Sequence, residues 1–233
     1  MGNIRLFFKE SLSINLKSKL DKTQSHYIYK VMRIKEGENF NLFNHSGEFE
    51  AKVESTLRGI VHFSVQKKLR SEDNAREIWL AFTPVKLNYL NFMIQKATEL
   101  GVTRFIPILT DRTVVRKINE KRIKKIIIEA SEQSNRLIIP SLDKLKKLED
   151  FIKENSQTTI FFGDLNSTNK KINIHGSDPI CLLIGPEGDF SIKERETLFK
   201  LKKIIPLNIN KNILRSETAA ISMISIISFI LLS

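Results

Sequence analysis

The sequence predicts an α/β protein in two parts, a small β-barrel over residues 1–70 followed by a mostly parallel α/β domain over residues 77–233. Three observations carry this. Up to about residue 70, apolar residues alternate with polar ones in short runs between turn signals. From Glu77 onward, apolar strand-like runs alternate with segments of helical period. Late in the chain, three such strands run into unusual loops, the middle one rich in glycine.

In the first part, the run EFEAKVESTL places Phe49, Ala51 and Val53 at alternate positions, the period of a half-buried strand. HSG before it and Arg58-Gly59 after it are turn signals, and IVHFSV resumes the strand pattern. Short strands joined by tight turns imply a small barrel. Arg70 to Arg76 is polar and aperiodic and reads as a linker. Beyond it, EIWLAFT is a strand. KLNYLNFMIQKATELG is a helix with Leu87, Leu90, Ile94, Ala97 and Leu100 on one face, closed by Gly101. RFIPILT is the next strand. NEKRIKKIIIEASEQSNR is a helix facing inward with Ile123, Ile127 and Ala130, and KLKKLEDFIKEN is another. TTIFFGD and PICLLIG are strands. Ser191 and Glu194 form an S-x-x-E capping box for a helix. IIPLNIN is the last strand, and a helix runs from about Arg215 to the end.

The balance of 38 basic against 26 acidic residues leaves a formal net charge of +12. Such an excess suits a polyanion, whose condensed counterions are released on binding, and it also suits a chain that uses lysine as generic solvated surface. The single cysteine, Cys181, excludes an intrachain disulfide and reads as a small buried core residue in PICLLIG. The histidines are scattered without metal-ligand spacing, so no metal is expected. MGNIRLFFKE lacks the apolar stretch of a signal peptide, and Leu6 breaks the myristoylation pattern. The apolar run from Ala219 to Ser233 is shorter than the about 20 residues that span a bilayer. A cytoplasmic protein without membrane attachment is expected.

Ligands of open α/β sheets bind beyond the carboxyl ends of the strands. The loops FFGDLN, LIGPEGDF and LNINKNILRSETAA occupy such positions. Gly185, Pro186 and Gly188 lie within four residues, and the glycines would let backbone amides approach a ligand closely. The spacing is not G-x-G-x-x-G, so nothing argues for a dinucleotide site. On these residues alone, a tight turn into a capped helix is the simpler reading.

Taken together, RLFF, HYIYKVMRIKEGE, QKATELGVTRFIPILTDRT, EASEQSNRLIIP, LLIGPEGDFS and ILRSETAA make a specific set, in order, over nearly the whole chain. The chain resembles the RsmE family of small-subunit (16S) ribosomal RNA uracil-N3 methyltransferases, members of the SPOUT superfamily. It departs from the family's usual pattern in three places: Asp189 and Asn135 stand where glycine is usual, and Ile209-Asn210 stand where Leu-Gly is usual.

The resemblance implies a PUA-like barrel and a SPOUT domain with a trefoil knot. It further implies S-adenosylmethionine as cofactor, ribosomal RNA or the small ribosomal subunit as partner, and a homodimer built on the last helix. It places Leu183, Ile184, Gly185, Gly188, Leu207, Ile209 and Leu214 in cofactor-lining segments. Uracil N3 must lose a proton before it attacks the methyl group, so charge builds on the base oxygens and an arginine would stabilise it. Arg112 and Arg136 are the candidates for that role, with phosphate contact as the competing one. Glu99 and Glu187 are candidate proton acceptors, and a helix-end ion pair is the competing reading of Glu99. Arg215 is a candidate brace of the knot or cofactor pocket. Arg5, Lys30, Arg33 and Lys35 are candidate phosphate contacts of the barrel. Two alternatives stand beside this reading: a non-catalytic RNA-binding assembly factor, and a related knotted methyltransferase acting on transfer RNA.

Overall fold

In the computed structural model, which describes residues 4–71, 76–169, 172, 174 and 176–232, the chain separates into two units. One holds residues 1–74 and 131–139, the other residues 75–130 and 140–233.

The first unit is a five-stranded sheet. Its strands are β1 (Arg5–Phe7), β2 (Lys17–Lys19), β3 (Asn39–Asn44), β4 (Gly47–Leu57) and β5 (Ile60–Arg70), in the order β1-β3-β4-β5-β2. Among the described residues of this sheet, only β1 and β3 pair in parallel. The alternation in β4 buries Phe49, Ala51 and Val53 against Phe40, Leu42 and Phe63, as its period requires. Arg58, with φ +50, and Gly59, with φ +77, make the two-residue turn between β4 and β5. One stretch corrects the all-strand expectation. Residues Lys22–His26 form helix α1, capped by Asp21, and Tyr27–Val31 continue as a π-helical turn. Two such short pieces leave too few residues for a helical period to emerge in the sequence.

The unit is pinned by one buried carboxylate. Glu48 accepts hydrogen bonds from Arg5 Nε (2.8 Å), Arg70 Nε (2.7 Å) and Asn41 Nδ2 (2.9 Å). Burial pushes its pKa up, but these donors outweigh burial and hold it below the ordinary carboxylate range. Arg5 also donates to the carbonyls of Ser131, Glu132 and Arg136 and covers the Phe43 ring at 4.3 Å.

The second unit is a parallel sheet. It contains β6 (Ile78–Phe82), β7 (Arg104–Leu109), β8 (Ser141–Leu142), β10 (Thr159–Gly163), β11 (Ile180–Ile184) and β12 (Ile204–Leu207), in the order β12-β10-β11-β6-β7-β8. The short β9 (Lys146–Lys147) pairs with β7. The helices are α2 (Leu87–Glu99), α3 (Glu120–Gln133), α4 (Leu148–Glu154), α5 (Ile192–Phe199) and α6 (Ser216–Leu232). Every residue of β11 is buried, as expected for an interior parallel strand, and Cys181 lies fully inside it, its thiol pushed up to about 12 by burial. Ile123, Ile127 and Ala130 face the core from α3. In α2 the buried face is Leu90, Met93, Ile94 and Ala97, while Leu87 in the first turn is exposed. The stretch read as one helix from Lys144 instead begins with strand β9, whose backbone pairs with Ile108 and Leu109 of β7, while the Lys146 side chain bonds Asp143 and Glu154. The expected linker falls largely on residues 72–75, which lie outside the described residues. Among the described residues, no helix is long and apolar enough to cross a membrane.

Candidate active site

The carboxyl ends of β10, β11 and β12 sit side by side, so the three loops that follow them meet. Together with the start of α6 they enclose a cavity of about 350 Å³, within the range of small-molecule sites. Its apolar wall includes Ile184, Leu207, Ile209 and Leu214, and its polar wall includes Asn166, Asn208 and Asn212. Hydrogen bonds knit the loops. Asp164 N donates to Leu207 O (3.0 Å), Asn208 N to Asn169 O (2.9 Å), and Ser216 Oγ to Gly185 O (3.2 Å). A Cβ on Gly185 would lie 2.8 Å from the buried Phe190 ring, so this position has no room for a side chain.

Charge enters through one arginine. Arg195, on α5, donates to Asp164 Oδ1 (2.9 Å) and to Asp189 Oδ2 (2.9 Å), and lies over the Phe199 ring. It thereby joins the loop after β10 to the loop after β11. Burial lowers the Arg195 pKa, but the two carboxylates outweigh it and raise it above the ordinary value. Asp189 has φ +62, a left-handed conformation, and its Oδ1 accepts from Phe190 N (2.8 Å). Asn135 also has φ +62. A short polar side chain with a local hydrogen bond is the best non-glycine occupant of that region.

A second set of bonds fastens residues 110–113 to the same loop. Ser191 and Glu194 form the expected capping box, and Glu194 Oε1 also accepts from Asp111 N (2.8 Å). Ser191 Oγ bonds Asp111 Oδ2 (2.6 Å), and Arg112 Nη1 donates to Gly188 O (2.7 Å). Arg112 is otherwise exposed.

Comparison with known proteins agrees with this arrangement. An RNA methyltransferase domain matches residues 72–228, and an RNA methyltransferase PUA domain matches residues 20–65. The ribosomal RNA small subunit methyltransferase E of Rickettsia conorii is 31% identical over 228 residues, covering 95% of this chain and 93% of that one. That of Aquifex aeolicus is 28% identical, covering 96% and 99%. The chain belongs to the ribosomal RNA small subunit methyltransferase E family. A crystal structure of such a methyltransferase from Neisseria gonorrhoeae, bound to S-adenosyl methionine, superposes with a TM-score of 0.90 at 25% identity, covering 98% of both chains.

In this methyltransferase E fold, Ile184, Gly185, Leu207, Ile209 and Leu214 line the cavity, as does Glu187. Leu183 and Gly188 do not. Leu183 is one residue back along β11 and faces the core, and Gly188 offers its carbonyl to Arg112. Glu99 ends α2 in an ion pair with Lys96 (2.8 Å), away from the cavity lining. Arg136 belongs to the first unit, and burial lowers its pKa to about 10. Arg215 stacks on Tyr89 and donates to its hydroxyl (3.0 Å).

Of the candidate phosphate contacts, Lys30, Arg33 and Lys35 are exposed. Arg5 requires correction: its side chain is 9% exposed and its donors are taken up by Glu48 and three carbonyls, so it holds the unit together. Sequence reasoning missed Asp164 and Arg195. FFGDLN marked the loop of Asp164, but Arg195 reads as a solvated position of a capped helix, and no local spacing ties it to residue 164.

Proposed function

We propose that this protein transfers the methyl group of S-adenosylmethionine to N3 of a uridine in small-subunit ribosomal RNA. Residues 1–70 would supply RNA affinity and residues 77–233 the chemistry. The observation that carries the reading is the cavity formed where the β10, β11 and β12 loops meet, in a chain of this family. The residues present fit the cofactor. Ile184, Leu207, Ile209 and Leu214 offer apolar contact for a purine, and Gly185, packed against Phe190 without a side chain, leaves its backbone on the cavity wall. The cofactor supplies an electrophilic methyl group on a sulfonium.

The chain's own residues would prepare the base. Glu187, a carboxylate on the cavity wall, is the better placed of the two candidate proton acceptors, since Glu99 is engaged by Lys96. Arg112, held by the Gly188 carbonyl and exposed beyond it, would face charge developing on the uracil oxygens. Arg136, bound into the first unit, is the weaker candidate for that role. Lys30, Arg33 and Lys35 would contact phosphates, which position a protein on RNA without specifying sequence. Threading of the three late loops into a trefoil knot belongs to the same reading. So do a homodimer built on α6 and a cytoplasmic location, where ribosomal RNA is found.

Two measurements test the proposal. Calorimetry should detect S-adenosylmethionine binding to the protein alone or with RNA. Mapping of methylated uridines in small-subunit ribosomal RNA should show one site that disappears when the gene is deleted. Absence of binding in both settings, or an unchanged uridine map, would overturn it.

A further inference from the structure

The cavity is acidic in a basic protein. Among the described residues its lining carries three carboxylates, Asp164, Glu187 and Asp189, against one guanidinium, Arg195. The chain as a whole has a formal net charge of +12, so a negative lining is not what its composition would supply by default. Asp164 is almost fully buried, its side chain 3% exposed, and neutralises Arg195 at 2.9 Å. Arg195 is shared with Asp189, also at 2.9 Å, so one positive charge stands against three negative ones and the described lining keeps a net negative charge, with Glu187 on the wall beside the pair. Asp189 is 55% exposed at its side chain and holds a left-handed backbone conformation that an aspartate adopts at some cost. Two bonds keep its carboxylate in place, one from Phe190 N and one from Arg195.

Before transfer, the methyl donor carries a positive sulfonium. After transfer, the same sulfur is a neutral thioether, while the rest of the molecule is unchanged. The two ligands therefore differ by one methyl group and one unit of charge at a single atom. A net negative lining stabilises the first and has no charge to act on in the second.

We infer that Asp189, with Glu187, makes the cavity discriminate between S-adenosylmethionine and its product S-adenosylhomocysteine, favouring entry of the charged donor and release of the neutral product. The inference rests on the cofactor reading above. One carboxylate acting across a cavity that is open to water is expected to change the ratio of the two dissociation constants by about three- to tenfold.

The experiment is calorimetric titration of the full-length protein with each ligand, for the wild type and for Asp189→Asn, Asp189→Gly and Glu187→Gln. Asparagine keeps the shape, tolerates φ +62 and can still accept from Phe190 N, so it removes the charge together with the one bond from Arg195. Glycine is unstrained at that φ and guards against a folding artefact. The wild type should prefer S-adenosylmethionine. Each variant should narrow that preference by about three- to tenfold, through weaker binding of the donor with product binding little changed. Raising the salt concentration should narrow the wild-type preference in the same way. If the Asp189 variants weaken both ligands in parallel, Asp189 is only a loop brace and the inference falls. It also falls if the ratio does not move. A wild type that binds neither ligand would instead bring down the cofactor reading on which it rests.

Discussion

Replacing Arg112 with alanine removes two things that can be separated. The first is visible in the structure: one hydrogen bond from Nη1 to the Gly188 carbonyl at 2.7 Å, at an exposed position. An exposed bond of this kind contributes about 1 kcal/mol or less, so the cofactor loop should loosen and affinity for S-adenosylmethionine fall by at most about fivefold. The neighbouring bonds, from Asp111 N to Glu194 and from Ser191 Oγ to Asp111 Oδ2, remain to hold the segment. The second is the proposed stabilisation of negative charge on the uracil, whose loss should lower the rate of transfer by about 10²–10³-fold. The assay is single-turnover methylation at saturating RNA and saturating S-adenosylmethionine, beside calorimetry of the cofactor alone. Arg112→Lys should recover only part of the rate, since a point charge replaces a planar fork of donors. If the Arg112→Ala rate returns to near normal once the cofactor saturates, the residue is a loop clamp and the catalytic assignment is refuted.

Three further outcomes are expected. Glu48→Gln leaves the buried Arg5 guanidinium without its counter-charge and should cost about 3–5 kcal/mol in urea denaturation, with the half-exposed Arg70 adding little. Because the folded pKa of Glu48 lies below 4.5, its contribution is present above about pH 4.5 and is lost as pH falls through the folded value, so the gap between wild type and variant should close in acid; a gap independent of pH would contradict this. Gly185→Ala drives a Cβ against Phe190 and should destabilise the second unit by about 1–3 kcal/mol while weakening cofactor binding, which thermal melts with and without S-adenosylmethionine would detect. Phe229, on α6, is 71% exposed; if α6 forms the dimer interface, Phe229→Glu should shift the light-scattering mass from dimer toward monomer at micromolar concentration, and a wild type that is already monomeric would rule the interface out.

Local pattern was enough for most elements of the second unit. β11 and α3 announce themselves by a continuous apolar run and by a helical period over 14 residues. The capping box at Ser191 was legible because its two partners are three residues apart. The π-helical turn at Tyr27–Val31 and strand β9 were not, since each is too short for a period, and β9 pairs with the distant β7. Candidate site residues divide in the same way. Ile184, Gly185, Leu207, Ile209 and Leu214 lie at strand ends that sequence can locate. Arg5 and Glu99 carry the charge expected of functional residues, yet neither charge lies in the cavity lining: Glu48 and nearby carbonyls hold one, and Lys96 holds the other.

What the sequence determined by itself is the alternation of strands and helices, the late glycine-containing loop, and the set of motifs that marks the family. These depend on spacing along the chain, which folding does not alter. Only the tertiary structure decided that Asp164, Asp189 and Arg195 form one charged network, that Arg112 meets the Gly188 carbonyl, and that Arg5 is buried. Each of the last two involves residues 43 or more positions apart, and Arg195 bridges 31 positions to Asp164. Burial and pairing set what a charged group does, and over such separations they follow from strand order, which no local period encodes.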